Sequence, residues 1–142
     1  MSVVEEFFKN TKQFFDVLFL SERKLTMEEK LIFSQILFEF GSNVEIENVN
    51  SFGDELRNEI KSRIEIIINN LNNIEDDDEF KRKAKEYKTK CKDNTIMLSS
   101  FLRIFNYGPY KGASNNPFNV VKNIFNNFLI PQLSKRGNFL VD

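Results

Sequence analysis

Apolar residues recur every three to four positions through most of this 142-residue chain, and that spacing is the period of an α-helix. It predicts six helices, at about residues 3–20, 27–40, 53–74, 78–92, 95–107 and 117–130. The one short alternation of apolar and polar residues, in 42–50, has no second strand to pair with, so we interpret it as a connector. The sequence therefore predicts an all-α fold. We expect a compact single-domain bundle of five to six helices with a Phe/Ile/Leu core, its topology undetermined.

The second predicted helix, 27–40, has a defined start and stop. Thr26 followed three residues later by Glu29 forms a capping box, and Gly41 supplies the stop signal. Between these ends only a narrow polar strip interrupts the apolar residues, made of Glu28, Gln35 and Glu39. A helix that is apolar almost all round is usually buried, so we expect this helix at the centre of the core. The alternative is that part of it lines an exposed groove or a dimer interface.

The chemistry available to this chain is narrow. It has no histidine, which removes the usual general base near neutral pH and the commonest ligand of zinc. Its five glycines are scattered and none forms a phosphate-binding loop. The single cysteine, Cys91, lies on an apolar helical stripe and is expected to be a buried core thiol. We predict that the protein is not an enzyme and holds no catalytic residue, metal or cofactor.

Charge divides the chain into two halves. Residues 1–80 carry 8 Lys and Arg against 18 Asp and Glu, a net of −10, whereas residues 81–142 carry 12 against 3, a net of +9. The switch falls between the acidic run 75–79, interpreted as a helix cap rather than a metal site, and the basic helix that follows. Such an asymmetry bears on partners and association rather than on fold.

The basic helix supplies the first candidate binding site. One ridge of that helix carries lysines at i, i+4, i+7 and i+11 and spans about 16 Å, with Arg82 on the outside. Lysines at this spacing suit point-charge contact with successive phosphates, without sequence readout. The alternatives are an acidic patch on a protein or simple solvation of the helix. The ridge consists of Lys81, Lys85, Lys88 and Lys92.

The loop after residue 107 supplies the second candidate. Tyr107, Tyr110 and Lys111 stand in a Gly/Pro frame, where two aromatic rings beside a cation could stack on a base or a ligand ring. The alternative is a helix connector whose tyrosines cover the edge of the core.

These features favour a non-enzymatic macromolecular interaction protein, a protein-binding or oligomerising helical module. The alternative is sequence-tolerant binding of an RNA or DNA backbone, as a small subunit of a nucleoprotein complex. Enrichment in Phe, Asn, Ile and Lys indicates an AT-rich genome, which suits a viral, phage or bacterial defence or counter-defence factor. We expect a protein partner (a second copy or another protein), no small-molecule cofactor and no membrane, since no apolar run is long enough to span one. The expected location is the cytoplasm, that of the host if the source is viral.

Overall fold

Four long helices and a shorter C-terminal helical segment make up the structure, a computed structural model that describes residues 1–137 and 139. The long helices are α1 (Val3–Phe19), α2 (Met27–Asn43), α3 (Ile46–Asn72) and α4 (Asp77–Phe101). Two 3₁₀ turns follow (Arg103–Asn106, Gly108–Tyr110), then α5 (Pro117–Ile124), a π-helical turn (Phe125–Leu129), α6 (Ile130–Leu133) and a last 3₁₀ turn (Ser134–Arg136). The predicted all-α bundle with a Phe/Ile/Leu core is confirmed.

The core is organised around α3, which packs against α1, α4 and α5. Phe52 of α3 is fully buried, and its ring centroid lies 5.2 Å from that of Phe7 on α1 and 4.7 Å from that of Phe40 on α2. On the far side it lies 5.4 Å from Phe105, in the first 3₁₀ turn. Contacts at these separations include the edge-to-face packing that aromatic rings prefer, so one phenylalanine of α3 joins three other elements.

The prediction that the second helix is central is wrong. On α2 only Phe33, Leu37 and Gly41 are buried, and they lie on one side of the helix. The opposite side exposes 62% of Phe38 and 63% of Leu31. An apolar helix with only a narrow polar strip fits an interior position, but it fits equally a surface position in which one apolar side is left open. The sequence pattern does not separate the two.

Two predicted boundaries around residues 40–53 are also wrong. α2 continues past Gly41 to Asn43, because this glycine does not end the helix but lets it lie against the first 3₁₀ turn. A Cβ built at Gly41 would stand 2.6 Å from Ile104 Cγ2, closer than atoms can approach. The predicted connector 42–50 is largely helical: α3 begins at Ile46 rather than 53, and Val49 inside that segment is fully buried.

The predicted helices 78–92 and 95–107 form the single helix α4, followed by a 3₁₀ turn. Asn94, at the predicted break, donates a side-chain hydrogen bond to the Leu18 carbonyl on α1, while its backbone stays helical. The last predicted helix, 117–130, contains a π-helical turn in which the Ile130 N–H donates to the Phe125 carbonyl five residues back. Pro131 follows immediately and has no N–H for the regular bond, which accounts for the local change of pitch.

A buried cation joins α1 to α3. The Arg63 side chain is only 6% exposed; its Nε donates to Asp16 Oδ1 at 2.8 Å and its Nη1 to Glu59 Oε2 at 2.7 Å. Its guanidinium lies 5.7 Å from the centroid of the Phe15 ring. Two carboxylates thus compensate one buried charge, which is the condition under which such burial is tolerated. The network lies inside the acidic half of the chain.

Candidate functional site

The open side of α2 exposes several large apolar side chains. Met27, Leu31 and Phe38 are 70%, 63% and 62% exposed. At 100° per residue they fall within about 40° of one another around the helix, so they form one stripe. Ile32, 44% exposed, lies farther round, and the polar residues between are Glu28, Gln35 and Glu39. We call Met27, Leu31 and Phe38 the α2 stripe.

The packing of the buried side of α2 determines that the α2 stripe faces outward. Phe33 is completely buried; its ring stacks on Phe14 at 4.8 Å with an interplanar angle of 6° and meets Phe15 edge-on at 5.5 Å. Phe101 of α4 closes the cluster from the other side, its centroid 6.1 Å from that of Phe33. Rotating α2 to bury the stripe would expose Phe33, so the helix cannot hide both faces at once.

The N-terminus of α2 is fixed by the predicted capping box. Thr26 Oγ1 accepts from the Glu29 N–H at 3.1 Å, and Glu29 Oε1 accepts from the Thr26 N–H at 2.9 Å. Arg23 adds a two-pronged bond, Nη1 to Oε1 at 2.7 Å and Nη2 to Oε2 at 2.9 Å. Hydrogen bonding to Arg23 lowers the pKa of the Glu29 carboxyl to about 2. The stripe therefore begins at a well-defined helix start.

The lysine ridge of α4 lies on one face of that helix, as its spacing predicts. Lys81, Lys85 and Lys92 are exposed, and Lys88 is half-buried. Lys81 Nζ lies 5.9 Å from the centroid of the Phe139 ring. Arg82, off the ridge, pairs with Glu86 through Nη1 and Oε1 at 3.1 Å. The ridge is thus a row of ammonium groups on an exposed flank.

In the second candidate site, the two tyrosines have different environments: Tyr110 packs on the core and Tyr107 is exposed. The Tyr110 hydroxyl donates to the Val44 carbonyl at 2.7 Å, and its ring packs 5.4 Å from Phe105. This tyrosine covers the edge of the core, which agrees with the connector interpretation. Tyr107 is 64% exposed and Lys111 is exposed. The stacking interpretation needs two exposed aromatic rings, and only that of Tyr107 is available.

Cys91 is 1% exposed, which confirms the predicted core thiol. Burial raises the pKa of this thiol to about 12, so the nucleophilic thiolate is suppressed. Within residues 1–137 and 139, no group of three acidic or cysteine side chains gathers as a metal site would require. In that same part of the chain, no helix combines the length and the apolar character needed to cross a bilayer.

Sequence reasoning ranked one feature of these surfaces too low and missed another. An exposed apolar side of helix 27–40 was only the alternative to a central position, and the residues that form the α2 stripe were not named. Sequence reasoning also missed Arg63, which stands among the apolar residues Ile60 and Ile64 of α3 and could have been recognised as a buried cation by that position. Both errors concern which side of a helix faces the core.

The fold and surfaces together define a small all-α bundle with one apolar stripe and one cationic ridge. Comparison with protein-family models, with curated protein sequences and with solved structures finds no match to this chain.

Proposed function

We propose that this chain is a non-enzymatic protein-binding module, that the α2 stripe is its docking surface, and that its nearest partner is a second copy of itself. The single observation that carries the proposal is the exposure of Met27, Leu31 and Phe38 on one side of one helix. Single exposed apolar residues are ordinary, whereas several that line up along one side of a helix favour an interaction site. Amphipathic helices commonly use such i, i+4 anchors to bind a partner.

Burying the stripe would be favourable. A leucine or phenylalanine side chain taken from full exposure to full burial contributes about 1.5–3 kcal/mol. Leu31 and Phe38 already have roughly a third of their surface covered, so docking adds about 1–2 kcal/mol each. A stable interface buries about 800 Å² on each partner, which exceeds one stripe. The polar residues beside the stripe must therefore take part, and their charge decides which partner fits.

The charges favour a head-to-tail contact over a symmetric pair of α2 helices. Glu28 and Glu39 lie along one edge of the stripe, so two α2 helices that pack along that edge would bring like charges together. The α4 ridge offers the complement: Ile96, 57% exposed, lies within about 40° of Lys85 and Lys92 around that helix. The surface around Ile96 is apolar with lysines beside it, and the α2 stripe is apolar with glutamates beside it, so the two surfaces are complementary in charge. We therefore propose that α2 of one copy binds α4 of the next.

Sedimentation equilibrium over a range of protein and salt concentrations tests this contact. We expect the average mass to rise with protein concentration and to fall as salt screens the charges. Phe38→Gln and Lys92→Glu, on the two opposite surfaces, should each reduce association. Ile66→Gln, an equally simple change of a 49% exposed residue on α3, is the matched control and should leave the mass unchanged. Wild-type protein that stays monomeric throughout would refute self-association, and an effect of Phe38→Gln without one of Lys92→Glu would refute the head-to-tail form.

A second candidate function is sequence-tolerant binding of a nucleic-acid backbone by the α4 ridge. The observation that favours it is that Lys85 and Lys92 are exposed and make no ion pair with any described residue. Each phosphate that such a lysine neutralises releases counterions, so binding would weaken steeply with salt.

Filter binding to generic single- and double-stranded RNA and DNA at low and moderate salt tests the ridge. Changing all four ridge lysines to glutamate should abolish binding and flatten the salt dependence. The control changes four exposed lysines elsewhere to glutamate, matching the net charge: Lys9, Lys24, Lys111 and Lys135. Equal loss in both variants would show that net charge, and not the ridge, is responsible; no binding at low salt would end the hypothesis.

A further inference from the structure

A pocket of about 520 Å³ opens on the flank of α4 that faces away from the lysine ridge. Its volume lies within the range of small-molecule sites, about 300–1,000 Å³. Three elements form it: the chain leaving α1, the C-terminal part of α3 and the first half of α4. The apolar part of the wall is made of Leu20, Ile67, Leu71 and Ile74.

The polar part of the wall has a partly buried cation, which Glu22 of the same wall compensates only in part. Lys90 is half-buried and makes no hydrogen bond or ion pair with any described residue. Burial lowers the pKa of its ammonium group, and the attraction of Glu22 only opposes that effect. Removing an ammonium group from water without an ion pair is unfavourable, and a bound anion would offset the cost.

Three other polar side chains of the wall already have partners, whereas Glu22 attracts Lys90 without a hydrogen bond or ion pair to any described residue. The Tyr87 hydroxyl donates to the Phe19 carbonyl at 2.8 Å, and burial raises the pKa of that tyrosine. Lys83 Nζ lies 3.5 Å from Glu79 Oε1, and Glu86 pairs with Arg82. Lys90 is therefore the lysine of the wall that is left to receive a ligand.

We infer that this pocket binds a small amphipathic anion, an aliphatic or aromatic molecule with one carboxylate. Its apolar body would lie against Ile67, Leu71 and Ile74, and its carboxylate would pair with Lys90. The site is independent of the α2 stripe, because none of the stripe residues lines it. Binding at this position would also clamp α3 to α4 and so stabilise the fold by mass action.

Isothermal titration calorimetry with octanoate as the probe tests the site. Octanoate should bind, butyrate should bind at least tenfold more weakly because it lacks most of the apolar body, and octylammonium should not bind because its head carries the wrong charge. Lys90→Gln should weaken octanoate binding at least tenfold. Lys85→Gln, an exposed lysine of the same helix outside the pocket, is the matched control and should change nothing.

A second variant checks the apolar wall without touching the lysine. Asn70 is exposed at the rim, so Asn70→Trp can fill the pocket without disturbing the core, and it should also abolish binding. Circular dichroism of each variant shows that the fold is retained. The inference is overturned if octanoate does not bind, if Lys90→Gln binds as Lys85→Gln does, or if octylammonium binds as well as octanoate.

Discussion

Two phenylalanines of α2 give the sharpest test of its position, because the same substitution is expected to cost much more stability at one than at the other. Phe33 is fully buried and in contact with three other rings, so Phe33→Ala removes a whole core side chain and leaves a cavity. Truncations of this kind cost about 3–5 kcal/mol. Phe38 is 62% exposed, so Phe38→Ala forfeits only about 1 kcal/mol of burial. Alanine returns part of that through its better helix propensity, about 0.5 kcal/mol.

Urea unfolding followed by circular dichroism measures the difference. With a denaturant slope of about 1–3 kcal/mol per molar, Phe33→Ala should lower the unfolding midpoint by at least about 1 M. Phe38→Ala should lower it by a few tenths of a molar at most. Because Phe38 is also proposed to bind a second copy, both variants are compared at several protein concentrations. The comparison is made where the wild-type midpoint no longer depends on concentration.

The refuting result is a costly Phe38→Ala in dilute protein. A loss above about 2 kcal/mol there would mean that Phe38 is buried within the single chain, as the central-helix interpretation required. A cost below about 1 kcal/mol for Phe33→Ala would be equally damaging, since it would deny the packing of Phe33 against Phe14. Either outcome would remove the basis of the proposed docking surface.

Three further predictions follow from single side chains. Cys91, with its pKa raised to about 12, should resist Ellman's reagent at pH 8 in the native protein and react fully in urea; fast reaction of the folded protein would contradict its burial. The Glu29 carboxyl, with its pKa lowered to about 2 from an ordinary 4.5, stabilises the folded state fully above pH 4.5 and loses that contribution as pH falls through 2. The advantage of wild type over Glu29→Gln in urea midpoint should therefore be constant near neutrality and shrink in acid, and a gap that widens in acid would be inconsistent with this. Arg63→Ala leaves Glu59 without its cation and Asp16 with only the exposed Lys12. It should cost about 3 kcal/mol, measured by urea unfolding, the lower end of the range for a broken buried pair because both carboxylates are partly exposed. Lys12→Ala, which removes only the exposed pair with Asp16, should cost less than about 1 kcal/mol.

Helix existence could be predicted from this sequence because its signals are local. The capping box of Thr26 and Glu29, and the start of the last predicted helix at Pro117, each depend on neighbouring residues and are found as predicted. Gly41 carries the local signature of a helix stop, yet α2 continues through it. What decides its role is Ile104, sixty-three positions away, which occupies the space a side chain would need.

The prediction that α2 is central failed for the same reason. Its apolar residues cover both sides, so hydrophobic periodicity does not choose which side turns inward. The choice is made by Phe14, Phe15 and Phe101, which form a slot that accepts Phe33. The candidate sites differ in the same way. The lysine ridge lies on one helix, so residue spacing was enough to predict it. The pocket beside Lys90 is formed by three separate segments of the chain, so no local pattern could predict it.

The charge division of the chain bears on how copies can associate. A contact between α2 of one copy and α4 of another uses two different surfaces. The copy at one end of the assembly therefore keeps a free α2 surface, and the copy at the other end keeps a free α4 surface, until the assembly closes. Such contacts give rings if the rotation between copies closes and filaments if it does not. In the proposed contact, the glutamates beside the α2 stripe and the lysines beside Ile96 would set its polarity. A symmetric dimer would leave the ridge free for phosphate, whereas the head-to-tail contact would cover it. Self-association and nucleic-acid binding should therefore compete, and added RNA should lower the average mass of the protein assembly if both surfaces act as proposed.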